Sequence, residues 1–226
     1  MVGFTRLQGW DGKMDSPCLA PIFSYDPKTW LPAIDMHGEG IFIRFNEHKI
    51  EEWEKNNSTI YQPMMERVEK NHLHCENASP RYVLLHTFSH LFIRSLAKLC
   101  GYQTSSIKER IYSTYEGGQK MSGVLIYTAS SDAEGSLGGL VAQAEPAHME
   151  ENIDALLNEA EWCSGDPLCM TSTGINGQGV FGLNYAACHQ CTLLPETSCT
   201  MRNLLLDRAA LIGRTDDNTI GFFRRL

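Results

Sequence analysis

Residues 163–191 open with Cys163-Ser164-Gly165-Asp166-Pro167-Leu168-Cys169 and close with Cys188-His189-Gln190-Cys191, and these two cysteine pairs decide how the last third of the chain folds. Zinc takes four tetrahedral ligands, and two close pairs joined by a loop supply them at a low cost in chain entropy. Cys199 follows soon after, so five of the eight cysteines lie between positions 163 and 199. The spacing predicts a zinc-binding region whose fold depends on the metal.

The five clustered cysteines allow more than one set of four zinc ligands. One set takes both pairs, Cys163, Cys169, Cys188 and Cys191, and another takes Cys169, Cys188, Cys191 and Cys199. His189 lies inside the C-x-x-C knuckle, where it is better placed to support a ligand than to be one. Four thiolates would close the site against water and substrate, which is the arrangement of a structural zinc ion. An iron–sulfur cluster is less consistent with the spacing, which matches no common ferredoxin pattern.

The composition is that of an ordinary globular protein rather than of one that binds nucleic acid alone. Of 226 residues, 42% are hydrophobic and 20% charged, and the formal net charge is −8. Proteins that bind DNA alone usually carry a basic excess, because phosphate contacts supply most of the affinity. The bulk charge therefore favours a protein partner. Direct DNA contact is a second expectation at the C-terminal end, which is locally basic through Arg202, Arg208, Arg214, Arg224 and Arg225.

The sequence gives no indication of a membrane or secretory destination. No apolar run approaches the roughly 18 residues that a membrane helix needs, and residues 1–10 lack the apolar core of a signal peptide. We therefore expect a cytoplasmic protein without membrane contact, in a reducing compartment where clustered cysteines bind metal rather than form disulfides. Cys18, Cys75 and Cys100 stand apart from the cluster and are interpreted as buried or incidental thiols.

The clearest predicted element is a helix over residues 80–100. Ser79 suits the N-cap, Pro80 the first helical position, and Gly101 a left-handed C-terminal cap. Between them, apolar residues recur at helical spacing: Leu84, Leu85, Phe88, Leu91, Phe92, Leu96 and Leu99. This stripe is too wide for a surface helix, so the helix is expected to run through the core.

The remaining pattern is mixed. It predicts strands at 40–45 and 123–128, and helices at 47–56, 61–74, 106–112, from Pro146 to Ala160, and 200–212, with residues 1–32 mostly loop around one short strand. Without a regular βαβ repeat this indicates an α+β fold, with a small sheet around the central buried helix. We expect an α+β core at 1–145, containing helix 80–100 and buried strand 123–128, and a helical zinc-binding subdomain at 146–226 that packs with it as one unit.

His86 and His90 form a second constellation on the central helix. Histidines four apart share a helix face and can share a metal ion, with Tyr82, Ser89 and Arg94 close enough to complete a polar pocket. In zinc proteases a glutamate follows the first histidine, whereas Thr87 stands here, so a protease is excluded. The alternative interpretation is that both histidines hydrogen-bond in the core or at an interface.

The loop at 128–139 offers a possible complement to these histidines. It lacks a phosphate-binding G-x-x-x-x-G-K-[ST] motif, and a plain glycine-rich turn is the better interpretation. If Asp132 and Glu134 converged on His86 and His90, the four could bind a metal and hydrolyse a phosphodiester. No ATPase, kinase or hydrolase nucleophile motif occurs in the chain, which favours a non-enzymatic role.

Specific strings resemble a known family. The string Pro80-Arg81-Tyr82-Val83-Leu84-Leu85-His86-Thr87-Phe88-Ser89-His90-Leu91 resembles the core helix of DrmB-like proteins, the helicase-accessory proteins of the bacterial DISARM anti-phage system. The resemblance continues in the same order at residues 100–102, 108–112, 125–130, 134–140, 163–169, 183–191, 194–199 and 206–208, and upstream at 2–6 and 30–34. It covers nearly the whole chain, but only the C-terminal part of the larger DrmB-like proteins.

The resemblance implies a function and a ligand set. The related C-terminal zinc-binding domain of MrfA-type helicases has a C-x-x-C followed by a third cysteine, which implies Cys188, Cys191 and Cys199 as ligands with Cys169 or Cys163 as the fourth. It further implies a non-enzymatic accessory subunit with structural Zn²⁺. Its partner would be a helicase or another protein subunit of a complex that defends against phage DNA, and DNA would be reached through that complex.

Overall fold

The computed structural model describes residues 3–5, 17, 19–21, 38–71, 73, 78–116, 119–128, 139–214 and 220–223. Several residues singled out in the sequence lie outside these ranges: Cys18, Cys75, Asp132, Glu134, Arg224 and Arg225. In the N-terminal segment, strands β1 (Gly3–Thr5) and β2 (Leu19–Pro21) form a short antiparallel pair. The sequence predicted one short strand there.

The central helix, α2 (Pro80–Cys100), begins and ends where its sequence predicts. The Ser79 side chain accepts a hydrogen bond from the Tyr82 N–H at 3.1 Å, and Gly101 ends the helix with a φ of 74°. Every residue from Arg81 to Ile93 is buried. Other helices and two strands of the sheet pack against it on several sides. The predicted helix at the centre of an α+β fold is confirmed.

A three-stranded antiparallel sheet covers one side of α2. Its order is β3 (Gly40–Arg44), β7 (Gly123–Thr128) and β4 (Ile107–Tyr112), so the apolar run at 123–128 is the central strand, as predicted. Ile126 of β7 pairs with Ile41 on one side and with Glu109 on the other. A short hairpin, β5 (Tyr115–Glu116) and β6 (Gln119–Lys120), lies between β4 and β7 in the chain.

The helix predicted at 106–112 is wrong, because these residues form strand β4. Ile107 and Glu109 are both buried while Glu109's neighbours Lys108 and Arg110 are not. This is the period of two that a strand requires. The charged residues Lys108, Glu109 and Arg110 fit the exposed face of a helix only if all three face water, and Glu109 does not.

The two predicted helices at 47–56 and 61–74 are one continuous helix, α1 (Glu47–Lys70). Its buried stripe runs without interruption through Ile50, Trp53, Asn57, Tyr61, Met64 and Val68. The polar residues near Asn57 suggested a break, but the Asn57 amide is buried and donates to the Trp53 carbonyl at 2.8 Å. Tertiary packing of the stripe therefore overrides the weak helix propensity of this segment.

The C-terminal third is less helical than predicted. After α3 (Gly139–Ala142) and α4 (Pro146–Ala160) come one-turn elements: α5 (Leu168–Thr171), two 3₁₀ turns (Gly174–Asn176 and Val180–Gly182), and α6 (Ala209–Ile212). The expected helix at 200–212 is wrong before Ala209, because Arg202, Asn203 and Leu205 have φ values of 53°, 58° and 63°. Left-handed residues cannot continue a right-handed helix.

One hydrophobic cluster joins the two halves of the chain. It contains residues of the sheet and of α1 and α2, such as Ile41, Tyr61 and Leu85, together with Leu156 of α4 and Leu211 of α6. Burying a large apolar side chain contributes about 1.5–3 kcal/mol, so this shared core ties both halves to α2. Among the described residues, the helices all lack the combination of length and hydrophobicity that crossing a bilayer requires.

Candidate metal centre

Four cysteine sulfurs converge where α4, α5 and the 188–191 turn meet. The Sγ atoms of Cys163 and Cys188 are 3.5 Å apart, those of Cys169 and Cys191 3.8 Å, and those of Cys188 and Cys191 3.6 Å. A disulfide would need about 2.05 Å. With Zn–S bonds of about 2.3 Å, tetrahedral coordination places sulfurs about 3.8 Å apart, close to the separations found here. The geometry fits a zinc ion held by four thiolates.

Hydrogen bonds to sulfur prepare these cysteines to act as thiolates. The Gly165 N–H donates to Cys163 Sγ at 3.3 Å, and the Cys188 N–H donates to Cys191 Sγ, also at 3.3 Å. The Thr192 hydroxyl donates to Cys191 Sγ at 3.2 Å. Donors of this kind orient metal ligands and stabilise their negative charge.

The first cysteine loop is held by Asp166. Its carboxylate accepts from the Cys163 N–H at 2.9 Å and from the Met170 N–H at 3.1 Å, which closes the loop around Cys169. The same carboxylate pairs with the guanidinium of Arg208, whose other nitrogen donates to the Ala160 carbonyl at 2.6 Å. The side chain of Arg208 is fully buried, so Asp166 both shapes the ligand loop and compensates an interior charge.

The C-x-x-C knuckle is held from the central helix. Arg94 of α2 donates to the backbone carbonyl of Gln190 at 2.7 Å and to that of Leu193 at 3.3 Å. The sequence suggested that Arg94 completes a pocket at His86 and His90. In the structure its guanidinium instead supports the cysteine site. His189 is exposed and lies outside the cluster of donor atoms.

The crowded thiols favour a cation between them. Hydrogen bonds from Cys169 and Thr192 lower the pKa of the Cys191 thiol to about 4. Burial raises the pKa of the Cys163 thiol to about 11, helped by Cys188 and by the nearby charge of Cys191. Thiolates this close together repel one another, and a divalent metal that shares their charge allows cysteines to bind as thiolates.

Cys199, the fifth cysteine, lies elsewhere. Its Sγ is 3.2 Å from His86 Nε2 on α2 and accepts from the N–H groups of Met201 and Asn203, at 3.3 and 3.2 Å. The first ligand set weighed from the sequence, Cys163, Cys169, Cys188 and Cys191, is the one whose sulfurs come together. Cys199, which belongs to the set implied by the resemblance, lies instead beside His86 of α2.

His86 and His90 face Glu109 of strand β4. Glu109 Oε1 lies 2.9 Å from His86 Nε2 and 3.4 Å from His90 Nε2, and all three side chains are fully buried. The Ser89 hydroxyl donates to the other carboxylate oxygen of Glu109, and the Tyr82 ring packs beside His86. Two of the expected flanking residues, Tyr82 and Ser89, thus lie at this cluster.

The charges of this cluster shift one another strongly. Burial opposes protonation of His86 and His90, but the Glu109 carboxylate raises the pKa of both above the ordinary value. Burial would raise the pKa of Glu109, yet the two imidazoles hold it far below its usual range. Burial likewise opposes ionisation of Cys199, but His86 lowers the pKa of that thiol to about 6.

Two expected basic residues are not on the surface. Arg208 and Arg214 are buried, and they pair with Asp166 and Asp207 respectively. Asp207 also accepts from the Tyr61 hydroxyl at 3.0 Å. The expectation that these two arginines form part of a DNA-contacting end is therefore wrong, because their guanidinium groups are committed to the interior.

Sequence reasoning missed Glu109, Asp166 and Thr192. Glu109 had a readable signal, since Ile107, Glu109 and Ile111 alternate on one strand face, and a buried carboxylate needs a cationic or metal partner. Asp166 stands inside the first cysteine loop, where a side chain that accepts backbone N–H groups is common. Nothing in the sequence distinguishes Thr192 from other threonines.

Comparison with known proteins identifies the class of this centre. Residues 88–192 match the family model of the MrfA Zn-binding domain, and this range contains all four converging cysteines. The match, together with the four-cysteine cluster, supports a structural zinc ion as the cofactor.

A particular relative covers the whole chain. The chain is similar to the DISARM protein DrmB of Bacillus paralicheniformis, with 40% identity over 243 aligned residues. It spans 41% of the length of that curated relative. The resemblance to DrmB-like proteins and to the MrfA-type zinc-binding domain, expected from the sequence, is confirmed.

Proposed function

We propose that this chain is a non-enzymatic, zinc-stabilised module of a DISARM-type defence protein, which works in the bacterial cytoplasm with a helicase subunit against foreign DNA. The observation that carries the proposal is the similarity of the entire chain to DISARM protein DrmB. The zinc-binding domain match supports the metal-dependent part of the proposal.

The closed cysteine set supports a role for zinc in folding rather than in catalysis. A catalytic zinc keeps one coordination position open for water or substrate, whereas four thiolates fill all four. The cysteines connect α4, α5 and the 188–191 turn, which have few apolar contacts of their own beyond the central core. Zinc would hold this region in one conformation for a partner to recognise.

The surface of the zinc region supports a protein partner. Large apolar side chains are exposed on and beside the cysteine loops: Trp162, Leu168, Ile175, Val180 and Phe181. Ile175 is 89% exposed and Leu168 79%, and exposed apolar side chains that form a continuous patch mark interaction surfaces. With a net charge of −8, the chain suits a helicase subunit that itself carries the DNA-binding charge.

The alternative function, a metal-dependent phosphodiester hydrolase at His86 and His90, lacks an observation in its favour. Both imidazoles are fully buried against Glu109 and Cys199, where a nucleic-acid strand cannot reach them. Asp132 and Glu134 lie outside the described residues. We therefore do not propose it.

Co-purification tests the proposal. The chain is co-expressed with a tagged DISARM helicase subunit, and the expected result is stoichiometric co-elution that survives nuclease treatment. Ile175→Glu with Val180→Glu is expected to weaken the complex by at least about tenfold, the scale of a lost apolar contact at an interface. Leu99→Glu, at an exposed apolar position on α2, is the matched control and is expected to bind normally. Failure of the wild-type chain to co-elute would contradict the helicase partnership.

A further inference from the structure

A second group of metal-binding side chains lies in the core, apart from the four clustered cysteines. His86 and His90 come from α2, Glu109 from β4, and Cys199 from the turn that follows the zinc region. One ligand atom from each lies within 4.8 Å of the other three. The exposed fractions are 0%, 0%, 1% and 7%, so water does not reach these groups to satisfy them.

The orientation of His90 leaves one ring nitrogen facing the cluster. Its Nδ1 lies 3.1 Å from the backbone carbonyl of Thr192, which can only accept, so Nδ1 carries the proton of that hydrogen bond. In the neutral imidazole Nε2 then presents a lone pair toward Glu109 Oε1, which is 3.4 Å away. His90 Nε2 makes no hydrogen bond of normal geometry with the described residues, while Glu109 Oε1 lies 2.9 Å from His86 Nε2. The contact between His90 Nε2 and the Glu109 carboxylate therefore needs a cation, either a proton on the imidazole or a metal ion that both atoms coordinate.

Cys199 is held as a thiolate ligand would be. Two backbone N–H groups, from Met201 and Asn203, point at its sulfur. The left-handed backbone at Asn203 is required for this turn, and the Asn203 side chain locks it by bonding both the N–H and the carbonyl of Leu194, each at 2.8 Å. Both backbone N–H groups of this turn donate to Cys199 Sγ, which stabilises a negative charge on that sulfur.

The shortest separations in the cluster are close to, and partly below, those between ligands around zinc. Zinc binds nitrogen and carboxylate oxygen at about 2.0–2.2 Å and sulfur at about 2.3 Å, which places tetrahedral ligands about 3.3–3.6 Å apart. The closest separations in the cluster are 2.9 Å from His86 Nε2 to Glu109 Oε1, 3.2 Å from His86 Nε2 to Cys199 Sγ, and 3.4 Å from His90 Nε2 to Glu109 Oε1. A divalent ion would also cancel the two negative charges of a buried carboxylate and a thiolate.

We propose that His86, His90, Glu109 and Cys199 hold a second zinc ion in a closed, buried site that joins α2, β4 and the turn at Cys199. The site is structural, because its four protein ligands complete the tetrahedron and exclude solvent. It shares no ligand with the four-cysteine centre, and its existence does not depend on the proposed defence function.

Metal counting tests the proposal on the whole chain. Wild-type protein from zinc-supplemented medium, dialysed against a weak chelator, is expected to contain two zinc ions per chain by elemental mass spectrometry. Cys199→Ala is expected to contain one, and Cys100→Ala, which changes a half-buried thiol outside both clusters, is expected to keep two. One zinc per folded wild-type chain, or two in folded Cys199→Ala, would overturn the second site.

A measurement on the wild type alone covers the case in which Cys199→Ala does not fold. Crystals of the wild-type protein are measured on both sides of the zinc absorption edge. An anomalous difference peak between His90 Nε2 and Cys199 Sγ supports the site. A peak at the four cysteines with none at the histidines overturns it, and shows that the buried charges are balanced by protons on the imidazoles instead.

Discussion

His90 on the central helix donates its Nδ1 proton to the backbone carbonyl of Thr192, across 3.1 Å. The hydroxyl of the same threonine donates to Cys191 Sγ at 3.2 Å. One fully buried residue therefore contacts both clusters of potential metal ligands, with its backbone on one side and its side chain on the other. The two functions of Thr192 can be separated, because a substitution removes the hydroxyl but not the carbonyl.

Thr192→Val is expected to weaken zinc binding at the four-cysteine centre by about tenfold, the lower range for losing a hydrogen bond to a metal ligand. Valine keeps the shape of threonine, so the packing and the hydrogen bond from His90 to the backbone remain. The measurement is a competition for zinc between the folded protein and a chromogenic chelator.

Thr59→Val, at an exposed position on α1, is the control for a threonine-to-valine change and is expected to leave zinc affinity unchanged. If Thr192→Val released zinc no more readily than Thr59→Val, the hydroxyl would have no part in stabilising the Cys191 thiolate.

Cys191→Ala is expected to lose one zinc ion per chain and to unfold the region from Cys163 to Cys199. Structural zinc in small domains is worth about 10–16 kcal/mol, comparable with the whole stability of an ordinary domain at about 5–15 kcal/mol. The metal content is measured by elemental mass spectrometry, and the loss of structure by limited proteolysis of the purified protein.

New cleavage sites are expected within residues 163–199 first, because α1, α2 and the sheet retain their own apolar contacts. A Cys191→Ala protein with the wild-type metal content and the wild-type digestion pattern would mean that the clustered sulfurs do not bind zinc.

The parts of the fold that follow local rules could be predicted from the sequence. Helix α2 has a serine cap, a proline in its first turn, a wide apolar stripe and a glycine stop, and these local signals agree with one another. The central strand at 123–128 is a short apolar run, which suits a strand with neighbours on both sides. The cysteine pairs predicted the zinc region because ligand spacing is also a local property.

The buried histidine cluster could be predicted only in part, because its members come from distant positions. His86 and His90 stand out on the helix, but Glu109 lies in a segment that the sequence predicts as a helix, and Cys199 is grouped by its spacing with the other cysteines. The strand assignment and the position of Cys199 were missed for one physical reason. Sequence spacing does not show which way a side chain faces after a strand pairs or a left-handed turn reverses the chain.

Asp166→Ala is expected to destabilise the protein by about 3–5 kcal/mol, the cost of leaving a buried charge without its partner. The substitution removes the carboxylate beside Arg208 and the acceptor for the Cys163 N–H. The free energy of unfolding is measured by urea denaturation. Asp154→Ala, at an exposed position of α4, is the matched control, and a change within about 0.5 kcal/mol is expected there. Equal stability of the two variants would show that Arg208 does not depend on Asp166.

Gly177→Ala is expected to cost about 3 kcal/mol, the upper range for overpacking, and to expose the loop between the cysteine pairs to protease. A Cβ at this position would lie 2.2 Å from the carbonyl oxygen of Gly182, the group that also accepts from Arg67 at 2.9 Å. Gly101→Ala is the matched comparison, since a Cβ there meets nothing within 4 Å and only the positive φ is unfavourable. That change is expected to cost about 1–2 kcal/mol. Urea denaturation compares the two, and a smaller loss for Gly177→Ala than for Gly101→Ala would contradict the close approach of Gly177 to Gly182.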